Sequence, residues 1–285
     1  LRALADRAGG RLRIVATHPV NGVTADDISG ALDDSVGLVS LSHVAFKSGA
    51  LANMAEISVL AESAGALPLW DLSHSVGAVP IELERSRASL AVGCTYKYLN
   101  GGPGAPAFLY VRRDLQDRLA TPIPGWFGHA DMFSFDPTYV AAQGIRRFAS
   151  GTPPIVSLRG VEHGVAVTME AGIEAIRTKS VALTEMLIEH ADARLRDLGC
   201  EIATPRRAAG RGSHVAIRHA DAYRVTQALI GRKVVPDFRA PDTIRLGVAP
   251  LYTRYTDIYD AIESLTDILE TGAHLAYAAD RGSVT

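Results

Sequence analysis

Gly93-Cys94-Thr95-Tyr96-Lys97-Tyr98-Leu99-Asn100-Gly101-Gly102-Pro103-Gly104 is the stretch on which the fold reading turns. It follows the apolar run Ser89 to Val92, which has the look of a short buried strand, and it closes in glycines and a proline that no regular element continues. One lysine is therefore set on a glycine-framed turn at a strand end, between two tyrosines. Such a lysine has two readings. It is a loop cation with its head in water, or it is a desolvated amine that forms a Schiff base with a carbonyl, in surroundings that lower its pKa.

Upstream, Trp70-Asp71-Leu72-Ser73-His74-Ser75-Val76-Gly77-Ala78 puts a carboxylate at the end of the expected strand Leu67 to Leu72 and an imidazole three residues later. Taken alone, Asp71 also reads as a turn cap and His74 as a hydrogen-bonded core histidine. Before that strand, Met54, Ile57, Leu60, Ala61 and Ala64 recur at helical spacing, with Asn53 as N-cap and Gly65 near the end. Val36 to Val44 reads as a further strand and Leu12 to Ala16 as the first, followed by a turn through Asn21-Gly22. Strand, helix, strand at this spacing predicts a parallel βαβ unit in an open α/β sheet, whose ligands sit at the carboxyl ends of the strands. Asp71 and Lys97 end neighbouring strands and so face one crevice. That is the arrangement pyridoxal phosphate needs, with a carboxylate holding the pyridine nitrogen protonated and a lysine for the aldehyde.

Downstream, Ala105 to Val111 reads as a buried strand and Ile155 to Ile176 as a long helix linking to a smaller domain. That domain is expected to hold a helix over Val181 to Leu198, a strand at His214 to Ile217, a helix from Ala222 to Ile230, short strands near Val234 and Ile244, and a closing helix. In the last, Ile258, Ala261, Ile262, Leu265, Ile268 and Leu269 form an apolar stripe of core type. Arg206 to Gly212 reads as a solvated basic loop.

Composition bounds the class. The 285 residues are 47% hydrophobic and 21% charged, with a formal net charge of −2, which suits a folded α/β chain and gives no footprint for nucleic acid or an anionic membrane. No apolar run is long enough to span a bilayer, and the start at Leu1 lacks the form of a signal peptide. Cys94 and Cys200 fit no paired motif, which points to a reducing, cytoplasmic setting, and the histidines show no metal-ligand spacing.

The Asp71 and Lys97 segments closely resemble the kynureninases, fold-type-I pyridoxal phosphate enzymes related to the class V aminotransferases. Gly125-Trp126-Phe127-Gly128-His129, Phe148-Ala149-Ser150-Gly151-Thr152-Pro153-Pro154 and Ile244-Arg245-Leu246-Gly247-Val248-Ala249-Pro250-Leu251-Tyr252 continue the resemblance in the same order. It implies a large, mostly parallel cofactor domain over residues 1–160, N-terminally incomplete, and a smaller α+β domain over 161–285. By the same resemblance Lys97 is the Schiff-base lysine, Asp71 the partner of the pyridine nitrogen and His74 a cofactor and substrate contact. Tyr96 serves as phosphate contact and proton donor, and Arg245 as the grip on the substrate carboxylate. Trp126 and Thr152 would reach the cofactor phosphate from the other subunit of a homodimer. Read from local sequence, Arg245 is equally a surface cation, Trp126 a core aromatic and Thr152 a helix cap. The implied reaction is hydrolysis of L-kynurenine or 3-hydroxykynurenine to anthranilate or 3-hydroxyanthranilate and L-alanine, in tryptophan catabolism. The family is longer at its N-terminus, and its phosphate-binding Ser/Thr loop and ring-stacking aromatic lie in that part. Two other classes stay open: another fold-type-I enzyme, such as an aminotransferase or cysteine desulfurase, and a short inactive paralogue acting by oligomerisation.

Overall fold

Between Leu38 and Asp71 the chain builds one parallel βαβ unit, in a computed structural model that describes residues 2–279. The outer bounds of the expected domains, Leu1 and 280–285, lie outside the described residues. Two short helices, α1 (Arg2–Arg7) and α2 (Ala25–Ser29), come first, the second held by a Thr24–Asp27 capping box. Strand β1 (Leu38–Ser42) leads to α3 (Met54–Ser63), whose N-cap is Asn53, its side chain accepting from the Glu56 amide at 3.3 Å. Met54, Ile57, Ser58 and Ala61 form the buried face of α3. Strand β2 (Leu67–Asp71) alternates, burying Pro68 and Trp70, and the Trp70 indole donates to Ser58 Oγ at 3.0 Å, so the ring is buried without an orphaned donor. Strand β3 (Leu90–Gly93) adds in parallel to β2, and β4 (Phe108–Val111) adds antiparallel to β3.

The remaining elements make a second, wholly antiparallel sheet with helices on one face. After the short α4 (Arg113–Gln116) come α5 (Ile155–Ala171) and α6 (Ile173–Leu195). Strands β5 (Glu201–Ile202), β6 (His214–Arg218), β7 (Asp237–Arg239) and β8 (Thr243–Gly247) pair in the order β5-β6-β8-β7. Helix α7 (Ala222–Gly231) lies between β6 and β7, and α8 (Tyr255–Glu270) follows β8. One face of this sheet, carrying Val215, Ile217, Ile244 and Leu246, is buried with Leu183, Leu187, Val225, Ile262 and Leu265 in the larger core. The other face carries His214, Ala216, Arg245 and Gly247, because facing residues of an antiparallel pair share a side and alternate residues switch it. None of the helices among the described residues is long and apolar enough to cross a membrane.

Four expectations are corrected. No strand forms over 12–16, where Leu12 and Ile14 are exposed and no neighbouring strand pairs with them among the described residues. The two helices expected over 155–176 and 181–198 instead divide at Gly172, whose φ of +76° favours glycine, and α6 then runs unbroken to Leu195. The Ala105 to Val111 run pairs only from Phe108, and of its residues only Val111 is buried. The basic loop is not solvated throughout: Arg211 is fully buried, its Nε donating to Thr184 Oγ1 at 3.1 Å and its guanidinium pairing with Glu185 of α6. Its burial is compensated by a helix remote in sequence.

Helix α5 also fixes the lysine turn. A Cβ at Gly164 would lie 2.3 Å from the Leu99 carbonyl oxygen, so only glycine lets the helix backbone rest against residues 99–100. Gly164→Ala is expected to lower stability by about 1–3 kcal/mol through overpacking. Urea denaturation measures it, and an unchanged midpoint would show that the helix does not bear on the turn.

Candidate active site

The carboxyl ends of the three parallel strands converge. The His43 amide, just past β1, donates to the Asp71 carbonyl at 2.9 Å, and the His43 ring meets Trp70 edge-on at 5.9 Å. Asp71 ends β2, and one of its carboxylate oxygens accepts the Ser73 amide at 2.8 Å. The turn-cap reading of Asp71 is thus realised with one oxygen, and the other accepts no hydrogen bond among the described residues. Past β3 the lysine turn is closed by Gly101 N–H to Thr95 O at 2.8 Å and Asn100 N–H to Lys97 O at 3.0 Å, with Asn100 in the left-handed region at φ +55°.

Lys97 Nζ lies 3.1 Å from His74 Nε2, and Arg245 Nη1 lies 3.4 Å from the same nitrogen. A guanidinium only donates, so Nε2 is the acceptor and the ring proton is on Nδ1. Burial, followed by the charges of Lys97 and Arg245, lowers the His74 pKa to about 4 and keeps the imidazole neutral. Lys97 has no carboxylate partner among the ion pairs of the described residues.

Across the cleft, β8 supplies Arg245 and β7 supplies its counter-ion. Arg245 donates to Asp237 Oδ2 through Nε at 3.2 Å and Nη2 at 2.6 Å, and its Nη1 also donates to the Phe46 carbonyl. Asp237 therefore holds one edge of a buried guanidinium, which needs such a partner. The Tyr98 hydroxyl donates to the Ser213 carbonyl at 2.9 Å, and burial raises its pKa far above the usual tyrosine range. Together these residues wall a cavity of about 220 Å³, with His74, Tyr96 and Lys97 on one side and Arg245, Asp237 and His214 on the other.

The sequence-predicted residues divide into two groups. His74, Tyr96, Lys97 and Arg245 line the cavity, and Asp71 is close enough to His74 to oppose the lowering of its pKa. Trp126 and Thr152 do not line it. Trp126 sits on a 3₁₀ turn, half exposed, edge-on to Phe127 at 4.8 Å and Phe133 at 6.0 Å, and Thr152 is exposed ahead of α5, whose N-cap is Pro154. The sequence reading missed Asp237 and His214 as wall residues and left Tyr98 and Tyr252 without a role. Tyr252 stands inside a quoted motif, and Asp237 precedes the Arg245 strand by one hairpin, which is the only signal the sequence offers for either.

Residues 176–265 match the kynureninase C-terminal domain family. The kynureninase of Pseudomonas fluorescens is 43% identical over 245 residues, covering 86% of this chain and 59% of that protein. The chain thus spans about three-fifths of the length of this relative. Among solved structures, a cysteine desulfurase from Thermococcus onnurineus NA1 superposes with a TM-score of 0.82 at 18% identity, over 95% of this chain and 69% of that one. A C-DES variant with glycine covalently linked to its PLP cofactor superposes with a TM-score of 0.82 at 19% identity, over 93% and 70%. At such identities the likeness establishes the fold, which is the fold-type-I α/β architecture.

The neutral histidines give the site a pH signature. Burial lowers the pKa of His43 and of His74 from 6.5 to about 4 each. In the unfolded chain they protonate first on acidification, so their contribution to stability is whole above about pH 6.5 and is lost as pH falls toward about 4. Unfolding midpoints are expected to drop across that window, and His74→Gln is expected to make the drop shallower. An identical slope in the variant would contradict a neutral His74.

Proposed function

We propose that the chain, 43% identical to a kynureninase over 245 residues, is of the kynureninase family and hydrolyses L-kynurenine, or its 3-hydroxy form, to anthranilate (or 3-hydroxyanthranilate) and L-alanine with pyridoxal 5′-phosphate. The single observation that supports this most is the pairing at neighbouring strand ends of Lys97, an amine without a carboxylate counter-ion among the described residues, and Asp71, a carboxylate with one oxygen uncommitted among them. These two groups fit the aldehyde and the pyridine nitrogen of the cofactor. Bound there, pyridoxal phosphate supplies an electron sink for negative charge developing at the substrate Cα. On this reading Lys97 and Asp71 hold the ring, His74 and Tyr96 border it, and Trp126 and Thr152 reach the phosphate from a second copy of the chain.

The chain's own groups then divide the work. Arg245, oriented by Asp237, holds the α-carboxylate through its guanidinium. Lys97, whose amine lies 3.1 Å from the His74 lone pair, would remove the proton at Cα. Tyr96, with its side chain half open to the cavity, donates a proton to the carbon that becomes the alanine methyl group. Overall one water adds to the side-chain carbonyl, the Cβ–Cγ bond breaks, and the aryl half leaves as the carboxylate. A desulfurase reading requires a nucleophilic thiol, and burial pushes the Cys200 thiol up to about 11.

The division into units 1–160 and 161–285 and the homodimer belong to the same proposal. Phe133 and Phe135 (84% exposed) in the loop before α5, and Ile155, Val156 (88% exposed) and Met169 on α5, are open apolar side chains that a second copy would cover. A cytoplasmic setting accords with the two free cysteines.

Titration with pyridoxal phosphate is expected to produce a visible absorption band that Lys97→Ala abolishes, and L-kynurenine then yields anthranilate fluorescence. Arg245→Lys keeps the band and raises KM by about a hundredfold, since lysine cannot make the two-point grip. A band without anthranilate would favour the inactive or alternative-substrate reading. Sedimentation equilibrium is expected to give a dimer, with Val156→Asp shifting it toward monomer and weakening cofactor binding together.

A further inference from the structure

His214 is 1% exposed, yet neither of its ring nitrogens has a hydrogen-bond partner. It is not a core side chain. On β6 it faces Gly247 of β8, on the side of the sheet that carries Arg245 and opposite the side packed by Val215 and Ile217. Its ring meets His74 edge-on at 5.7 Å and forms part of the cavity wall. The turn after β1 holds it in place: a Cβ at Gly49 would stand 3.3 Å from its Cδ2 and Nε2. Burial, and after it the charge of Arg245, keeps the ring neutral against the weaker pull of the Ala45 carbonyl, which lies near the ring without a well-formed hydrogen bond to it.

Most other polar groups of the wall are committed, and Asp237 Oδ1, which also has no hydrogen bond, is ion-paired with Arg239 Nε at 2.8 Å. Arg245 is engaged by Asp237, Phe46 and His74, His74 Nε2 by Lys97 and Arg245, and the Tyr98 hydroxyl by Ser213. A buried imidazole left unpaired is unfavourable, and a side chain of the same size without nitrogens would avoid that cost. The arrangement makes sense when the cavity is filled by a molecule that supplies the missing hydrogen bond. Arg245 and Gly247 are two residues apart, about 7 Å along the strand, so His214 stands one step beyond the carboxylate grip.

We propose that His214 is a specificity-determining residue, hydrogen-bonding a polar group on the side chain of the amino acid whose carboxylate Arg245 holds. The inference rests on the proposed role of Arg245 and adds a substrate class to it: amino acids with a hydrogen-bonding group beyond Cβ, preferred over those whose side chain ends at a methyl. A site with a committed polar partner rejects ligands that leave that partner unpaired.

The test is isothermal titration of the full chain carrying Lys97→Ala, which does not turn the amino acid over, in the presence of pyridoxal phosphate. L-Kynurenine and L-alanine are the probes. Adding His214→Phe is expected to weaken L-kynurenine about tenfold, the effect of one lost hydrogen bond, and to leave L-alanine within about twofold. His214→Gln restores L-kynurenine to within about threefold, and the unfolding temperature of the His214→Phe chain equals or exceeds that of its parent. An equal loss of both probes, or no loss of either, overturns the proposal, as does a fall in unfolding temperature that His214→Gln shares. Arg245→Lys, expected to weaken both probes, separates the two readings. If it weakens both while His214→Phe weakens neither, the carboxylate grip stands and the role of His214 falls. If the parent binds neither probe, both fall.

Discussion

One lone pair, on His74 Nε2, faces two donors: the Lys97 amine at 3.1 Å and the Arg245 guanidinium at 3.4 Å. Only a neutral imidazole can serve both, because a protonated ring would present a third positive charge to them. The burial that lowers the His74 pKa to about 4 is therefore a condition of the site's assembly. The Tyr98 hydroxyl donates to the Ser213 carbonyl at 2.9 Å, and backbone bonds run from Gly212 N–H to Gly49 O at 2.8 Å and from Leu51 N–H to Gly210 O at 2.9 Å. These contacts tie the two sheets together around the imidazole.

The same requirement explains why the charge pattern is uneven. Arg245 is given a close carboxylate in Asp237, and among the described residues Lys97 is not. A buried guanidinium stays ionised and needs a counter-ion to be held there. The Lys97 amine is instead left facing the lone pair of His74 at 3.1 Å. Asp71 is placed off to the side, at the end of the next strand, where it can oppose a different positive charge.

Much of this was readable in the chain because it is local. The Asn53 cap, the alternation of β2 and the α8 stripe each arise within a few residues, and the elements formed where those patterns lie. What escaped was fixed by partners remote in sequence. Leu12 to Ala16 has strand composition but no strand beside it among the described residues, and strand character without a ladder leaves the backbone unpaired. The apolar rhythm from Ile155 continues past residue 172, and it is the φ of Gly172 that divides the helix. Arg211 reads as a surface cation until α6 brings Glu185 and Thr184 to it. In the site, the contiguous motifs named Asp71, His74, Tyr96, Lys97 and Arg245. Asp237 and His214 belong to the wall only because β7 and β6 flank β8, which is a matter of sheet order.

Sheet order also explains how two unlike sheets can share one cavity. In the first sheet the parallel strands all present their carboxyl ends to the same side, so the loops after β1, β2 and β3 gather His43, Asp71, His74 and Lys97 at one rim. In the second, antiparallel sheet no strand end is special, and function has to be carried by a face. One face is given wholly to the core, which leaves His214, Ala216, Arg245 and Gly247 on the other, and the small residues among them make room for the two large polar ones. The rim of one sheet is closed by the face of the other. Groups on the rim are set by turns such as the one that carries Lys97, whereas Arg245 and His214 are set by strand register. A one-residue slip of β8 against β6 would turn Arg245 into the core and destroy the site and the hydrophobic packing together. The site thus inherits the register fidelity of the core behind it.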